Sequence, residues 1–124
     1  MNNTAPAYKT PLELLPLQDQ KVQSCEDPQT RIERGVIARR LSEAGVPDYL
    51  IKQPRVVINF WLVAKYFAEL HNFELPEDQS QDIEDKIHHA ERLLVSLDRH
   101  TCYLQDFMKS AAYQKIKRVL IHRM

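Results

Sequence analysis

The most regular pattern of apolar positions runs through residues 83–108. Apolar side chains recur there at alternating spacings of four and three residues, and Thr101 is the only polar member of the series. This seven-residue period predicts one long helix, over about 76–109, with a continuous apolar face. Because the position beside this face is also apolar at Leu93 and Phe107, the face is wide enough to pack against several helices.

A second segment, 55–72, is apolar in almost every direction around a helix axis. Polar side chains are confined to a narrow line that includes Asn59 and Glu69. A helix of this kind lies in the middle of its domain. Three successive β-branched residues at 56–58 leave a strand as the alternative. The lack of turn residues as far as Leu70 favours a central helix.

Other helices are indicated by residues typical of helix ends. Asp27, which is followed by a proline, is typical of a helix N-terminus, and Gly45 is typical of a C-terminus. These two signals predict a helix over about 28–44. Prolines bound a short corner at 47–53, and a last apolar pattern predicts a helix over 111–123.

The chain divides at about residue 27. Residues 1–26 are rich in proline and show no helical period, so we expect an extended N-terminal arm. The remainder, 27–124, is expected to form a single all-α domain, a small helical bundle. A hydrophobic content of 44% is ordinary for a globular protein and supports a packed core.

Charge and cysteine content narrow the classes of partner and compartment. The 17 basic and 17 acidic residues cancel, which argues against non-specific attraction to nucleic acid or to an anionic membrane. No segment is long and apolar enough to predict a membrane span, and the first residues lack the order of a secretory signal. Cys25 and Cys102 are therefore expected to be free thiols in a reducing cytoplasm, with one disulfide as the alternative.

Signals of catalysis or metal binding are sparse. The chain has two glycines, so it contains neither a glycine-rich phosphate loop nor a Gly-x-Ser-x-Gly turn. Glu84 and His88 are four residues apart, as are Asp85 and His89, which places each pair on one side of a helix. A metal centre in a bundle needs a second such pair, and surface ion pairs explain the spacing better. We expect no enzymatic activity, no metal and no cofactor.

Binding to DNA is the alternative function. Gly45 stands between apolar residues, as the turn of a helix-turn-helix motif requires. The second helix of that motif would have about six residues before a proline, and Asp48 would repel phosphate. The residues that would contact nucleic acid are Arg39, Arg40, Tyr49, Lys52 and Gln53.

Binding to a protein partner is the function that the sequence favours. Residues 109–124 carry basic side chains and no acid, and 11–17 is a leucine-rich stretch between prolines. We predict a non-enzymatic small regulator, adaptor or inhibitor, with a homodimer through the long helix as a further arrangement. The predicted partner-binding residues are Leu12, Leu14, Leu15, Leu17, Lys115, Lys117 and Arg118.

A line of acids borders the predicted long apolar face at Glu84, Glu91 and Asp98. The first helix is rich in arginine on its polar side, and the two sets have opposite charge. We therefore predict that arginines of the first helix oppose this acidic line. The arginines concerned are Arg31, Arg34, Arg39 and Arg40.

Overall fold

A computed structural model describes residues 27–99 and 101–121. Within those residues the chain forms helices and no strand, which confirms the predicted all-α bundle. The predicted N-terminal arm, 1–26, lies outside the described residues. The helices are α1 (Pro28–Glu43), α2 (Asp48–Ile51), α3 (Pro54–Asn72), α4 (Glu77–Leu97), α5 (Tyr103–Phe107) and α6 (Ala111–Lys117).

The two ends of α1 follow the sequence signals closely. The Asp27 carboxylate accepts a hydrogen bond from the Thr30 backbone N–H at 2.7 Å, as an N-terminal cap does. At the other end Gly45 has a φ of +92°, and the Val46 N–H donates to the Leu41 carbonyl at 3.0 Å. This is the glycine-terminated arrangement that satisfies the last carbonyls of a helix.

Helix α3 forms the centre of the core, as its apolar sequence predicts. Phe60 is fully buried and meets the rings of Phe107 and Tyr113 edge-on, with centroids 5.9 and 6.0 Å away. Such edge-to-face pairs add to the stabilisation from burial alone. The buried residues of α3 are Val56, Ile58, Asn59, Phe60, Trp61, Val63, Ala64 and Ala68.

Trp61 connects α3 to α1. Its indole N–H donates to a Glu33 carboxylate oxygen at 2.9 Å, which satisfies the one polar atom of a nearly buried ring. The Arg34 guanidinium lies 4.6 Å from the Trp61 ring centroid, and the Lys65 ammonium lies 4.9 Å from it. The Arg34 contact joins α1 to α3 and stabilises the position of α1 against the core, whereas the Lys65 contact lies within α3.

The prediction of one uninterrupted helix over 76–109 is wrong. Helix α4 ends at Leu97 and α5 begins at Tyr103. The buried Asp98 carboxylate accepts the Leu104 N–H at 2.8 Å, so it satisfies a donor at the start of α5. Cys102 has a φ of +57°, a left-handed conformation that redirects the chain before α5.

The C-terminal helix is also shorter than predicted. The prediction reached residue 123, whereas α6 ends at Lys117 and turns follow. Ser110 caps the start of α6 by accepting the Tyr113 N–H at 3.3 Å. After α6, the Asn72 side-chain amide donates to the Ile121 carbonyl at 2.7 Å, and Leu120 is buried. These contacts fix the turns to the end of α3.

Candidate functional site

Two acids of the line that borders α4, Glu91 and Asp98, contact groups other than the arginines of α1. The Tyr113 hydroxyl donates to a Glu91 carboxylate oxygen at 2.6 Å, and Asp98 caps α5. Burial of the Tyr113 ring raises the pKa of its hydroxyl well above the usual range, and the hydrogen bond to Glu91 adds to the effect. Arg34 lies over Trp61, and Arg40 lies nearest to Glu43. The predicted pairing is therefore wrong for Glu91 and Asp98.

A groove between α1 and α6 is the candidate functional site. It encloses about 320 Å³. Small and branched apolar side chains line it, and charged side chains lie among them. We name it the α1–α6 groove, and its lining residues are Arg40, Glu43, Ala44, Ala111, Ala112, Lys115, Ile116 and Val119.

The apolar part of the groove is formed where two amphipathic helices meet. Ala44 follows α1, and Ala112 and Ile116 are one turn apart on α6. Alanine side chains are short, so a depression is left between the residues at the end of α1 and those of α6. Ile116 is buried at its base, while Val119 follows α6 and is only partly buried.

The charged part of the groove is predominantly basic. Arg40 lies 3.9 Å from Glu43, with both side chains more than half exposed, so this pair contributes little to stability. Lys115 forms no ion pair with any described residue. Two basic groups and one acid therefore surround the apolar lining, and the Lys115 side chain is exposed to solvent. The groove would attract an acidic segment.

The structure separates the three basic residues that were predicted to act together. Lys115 lines the α1–α6 groove, whereas the Lys117 ammonium lies 4.9 Å from the Phe67 ring centroid on another side of α6. Residues two apart on a helix differ by about 200° in direction, which explains the divergence. Arg118 follows α6 and is exposed. The four predicted leucines of the N-terminal arm lie outside the described residues.

The residues of the DNA-binding alternative are likewise not brought together as one reading surface. Helix α2 has four residues, or about 6 Å of helix, which is too short to present a row of side chains to a major groove. Lys52 pairs with Asp48 at 3.1 Å, and the Tyr49 hydroxyl shares a hydrogen bond with Thr101 at 2.9 Å.

The other members of that set occupy different positions. Gln53 precedes α3 and is partly buried, and Arg39 is exposed on α1. Arg40 alone lines the α1–α6 groove. Thus one residue from each predicted set, Arg40 and Lys115, lines the candidate site, although nothing in the sequence pattern connects the two.

The lining alanines were missed by the sequence reasoning. Ala44 and Ala112 each continue the apolar pattern of their own segment, which predicts burial in the core rather than a place in a groove. Two small residues that are distant in the sequence line a groove only when the fold brings them close together. One feature of the sequence could have indicated the groove. In both segments a basic residue lies about one helical turn from the alanine, Arg40 from Ala44 and Lys115 from Ala112.

The histidines of α4 occupy surface positions. The His88 Nδ1 atom lies 3.2 Å from a Glu91 carboxylate oxygen on the same helix, so its partner is Glu91 rather than the predicted Glu84. Within residues 27–99 and 101–121, no group of three or more His, Cys, Asp or Glu side chains is placed to hold a metal ion. No helix among them is long and apolar enough to cross a membrane.

No protein family, curated protein or solved structure matches the chain.

Proposed function

We propose that this protein is a small, non-enzymatic regulator, adaptor or inhibitor that binds a protein partner through the α1–α6 groove. The observation that supports the proposal is the groove itself, about 320 Å³ with an apolar lining and a net basic rim. An apolar centre within a polar rim is the usual composition of a protein–protein interface.

The groove is suited to one class of partner segment. Its alkyl lining suits an apolar side chain and its volume admits even the largest one, and one buried anchor often supplies most of the binding energy of an interface. Lys115 and Arg40 would face residues on either side of that anchor. We therefore propose an acidic segment with one large apolar residue as the occupant.

The oligomeric state, the compartment and the DNA-binding alternative are argued from other features of the chain. The homodimer was predicted to form through one long helix over about 76–109, and α4 has 21 residues, or about 32 Å of helix, so it offers a shorter face for such a dimer. The cytoplasm is the proposed compartment, on the basis of the low cysteine content. DNA binding remains the alternative, and the absence of binding to random duplex DNA at low salt would exclude it.

Selection from a library of short random peptides tests the proposal. The wild-type protein serves as bait, and the variant Ala111→Trp, which fills the groove from an exposed position, serves for counter-selection. We expect enriched peptides with a central leucine or aromatic residue among acids. Their affinity for Ala111→Trp should fall at least about tenfold.

The matched control is Gln114→Trp, which adds the same ring to an exposed position of α6 outside the groove. It should retain wild-type affinity, and both variants should show wild-type helix content by circular dichroism. Peptides that bind wild type and Ala111→Trp equally well would contradict the proposal, as would a library that yields no enriched sequence.

A further inference from the structure

A second cavity lies on the other side of α6, between α3 and α4. It encloses about 450 Å³, within the range of roughly 300–1,000 Å³ that is common for small-molecule sites. Phe67 and Leu70 of α3 and Ile87 of α4 form its apolar lining. We name it the α3–α4 cavity.

Lys117 is the distinctive group of this cavity. Its ammonium lies 4.9 Å from the Phe67 ring centroid and 5.4 Å from the Tyr113 ring centroid, and the side chain is partly buried. No carboxylate of a described residue lies within 4.0 Å of it. Aromatic faces compensate only part of the hydration that a cation loses on burial. An anion in the cavity would complete that compensation.

Two histidines also line the cavity and have one ring nitrogen already engaged. His71 Nδ1 lies 3.0 Å from the Phe67 carbonyl oxygen, and His88 Nδ1 lies 3.2 Å from a Glu91 carboxylate oxygen. Because both oxygens can only accept, each Nδ1 carries the proton. The Nε2 atom of each ring is then an acceptor and offers no proton to a carboxylate, so Lys117 is the group of the lining that would pair with an anion.

Glu84 is the one acid among the lining residues, and it opposes an anionic ligand. Its side chain is exposed, so solvent screens its charge. Lys117 is partly buried beside the apolar lining, where a charge acts more strongly. The potential near the lining is therefore set mainly by the lysine.

We propose that the α3–α4 cavity binds a small organic acid, a monocarboxylate with an apolar body. The carboxylate pairs with the Lys117 ammonium, and the apolar body packs against Leu70 and Ile87. This site is independent of the proposed protein-binding groove, because Lys115 lines the groove and Lys117 lines the cavity.

Titration with octanoate tests the site, with the methyl resonances of Leu70 and Ile87 as the readout. Saturable shifts of both methyl groups are expected. Octanamide, which has the same apolar body and no charge, should bind at least about tenfold more weakly, because a hydrogen-bonded ion pair contributes more than a neutral contact. Equal binding of the two compounds, or no methyl shift with octanoate, would overturn the proposal.

Variants of the two lysines of α6 separate this site from a general affinity for fatty acids. Lys117→Met should weaken octanoate binding at least about tenfold, and Lys117→Arg, which keeps the charge, should restore most of it. Lys115→Met is the matched control and should stay within about twofold of wild type. Wild-type affinity in a folded Lys117→Met protein would refute the carboxylate–lysine contact, whatever the outcome for the groove.

Discussion

Asp98 shows how one buried polar side chain can determine the course of the backbone. It is 4% exposed, one carboxylate oxygen accepts the Leu104 N–H at 2.8 Å, and the other accepts the Thr101 hydroxyl at 3.1 Å. These bonds hold the turn between α4 and α5. Without them a buried backbone donor would lose its acceptor.

The first prediction concerns this cap. Asp98→Ala should lower the free energy of unfolding by about 2 kcal/mol, since a lost cap and an unsatisfied buried N–H act together. Urea denaturation measures the change. Asp106→Ala, at an exposed position of α5, is the control and should change stability by less than about 0.5 kcal/mol. A wild-type midpoint for Asp98→Ala would show that the turn is held by other contacts.

The second prediction concerns the pH dependence of stability. The folded state raises the pKa of Tyr113 above its unfolded value, chiefly through burial. A raised pKa favours the protonated folded state, so this contribution is complete below the unfolded value and is lost as pH rises beyond about 10. Thermal unfolding should show stability falling above that pH. The fall should be smaller in Tyr113→Phe, and an identical fall in both proteins would contradict the assignment.

Of the two glycines, Gly35 lies within α1 and Gly45 follows its last residue, and they should respond in opposite directions to the same substitution. Gly35 lies in the middle of the helix, and a Cβ there would meet nothing within 4 Å. Gly45 has equally open surroundings but a φ of +92°. The difference between the two positions is therefore one of backbone conformation alone.

The third prediction follows from that difference. Gly35→Ala should stabilise the protein by about 0.5–1 kcal/mol through helix propensity. Gly45→Ala should destabilise it by about 1–2 kcal/mol through left-handed strain. Guanidinium titration of both variants measures the two signs. A destabilised Gly35→Ala protein would indicate that α1 is not helical through residue 35.

Helix α3 was predictable from the sequence and the break after α4 was not, for a physical reason. A helix that is apolar on all sides is stable only in the core of the domain, regardless of the segments that precede and follow it in the chain. The break depends on Asp98. In the seven-residue repeat this residue belongs to the acidic line beside the apolar face, where a side chain is normally solvated. Leu94 and Leu104 are both fully buried although they belong to α4 and α5, so the apolar period continues across the break. No glycine marks the left-handed residue, Cys102.

The α1–α6 groove was harder to predict from the sequence than the break after α4. A groove between α1 and α6 depends on which residues the two helices bring together, and these are about 70 positions apart in the chain. The basic charge of Lys115 and of Lys117 could be predicted. Their separation into two cavities required the direction of each side chain around α6.

For the whole molecule, a net charge of zero conceals local differences in charge. The described residues after Asp106 contain no acid, whereas the first turns of α4 are acidic. The basic part includes one side of the α1–α6 groove. Long-range attraction of an acidic partner should therefore come from this end of the chain rather than from the net charge.

The fourth prediction uses that attraction. Lys115→Glu should slow the association of an acid-flanked peptide by about tenfold at low salt, and the difference from wild type should shrink at high salt. Stopped-flow fluorescence gives the rates. Lys109→Glu, an equal charge reversal outside the groove, should have a smaller effect. Equal effects of the two reversals would indicate general attraction without a defined site.

The most direct test of the protein-binding groove is to locate a selected peptide on the folded protein. Backbone amide resonances are followed while the peptide is added to the labelled wild-type chain. We predict that the largest shift changes cluster at Ala44, Ala112 and Val119, with little change along α2. Changes centred on α2 or on the α3–α4 cavity, or spread evenly over the bundle, would contradict the account.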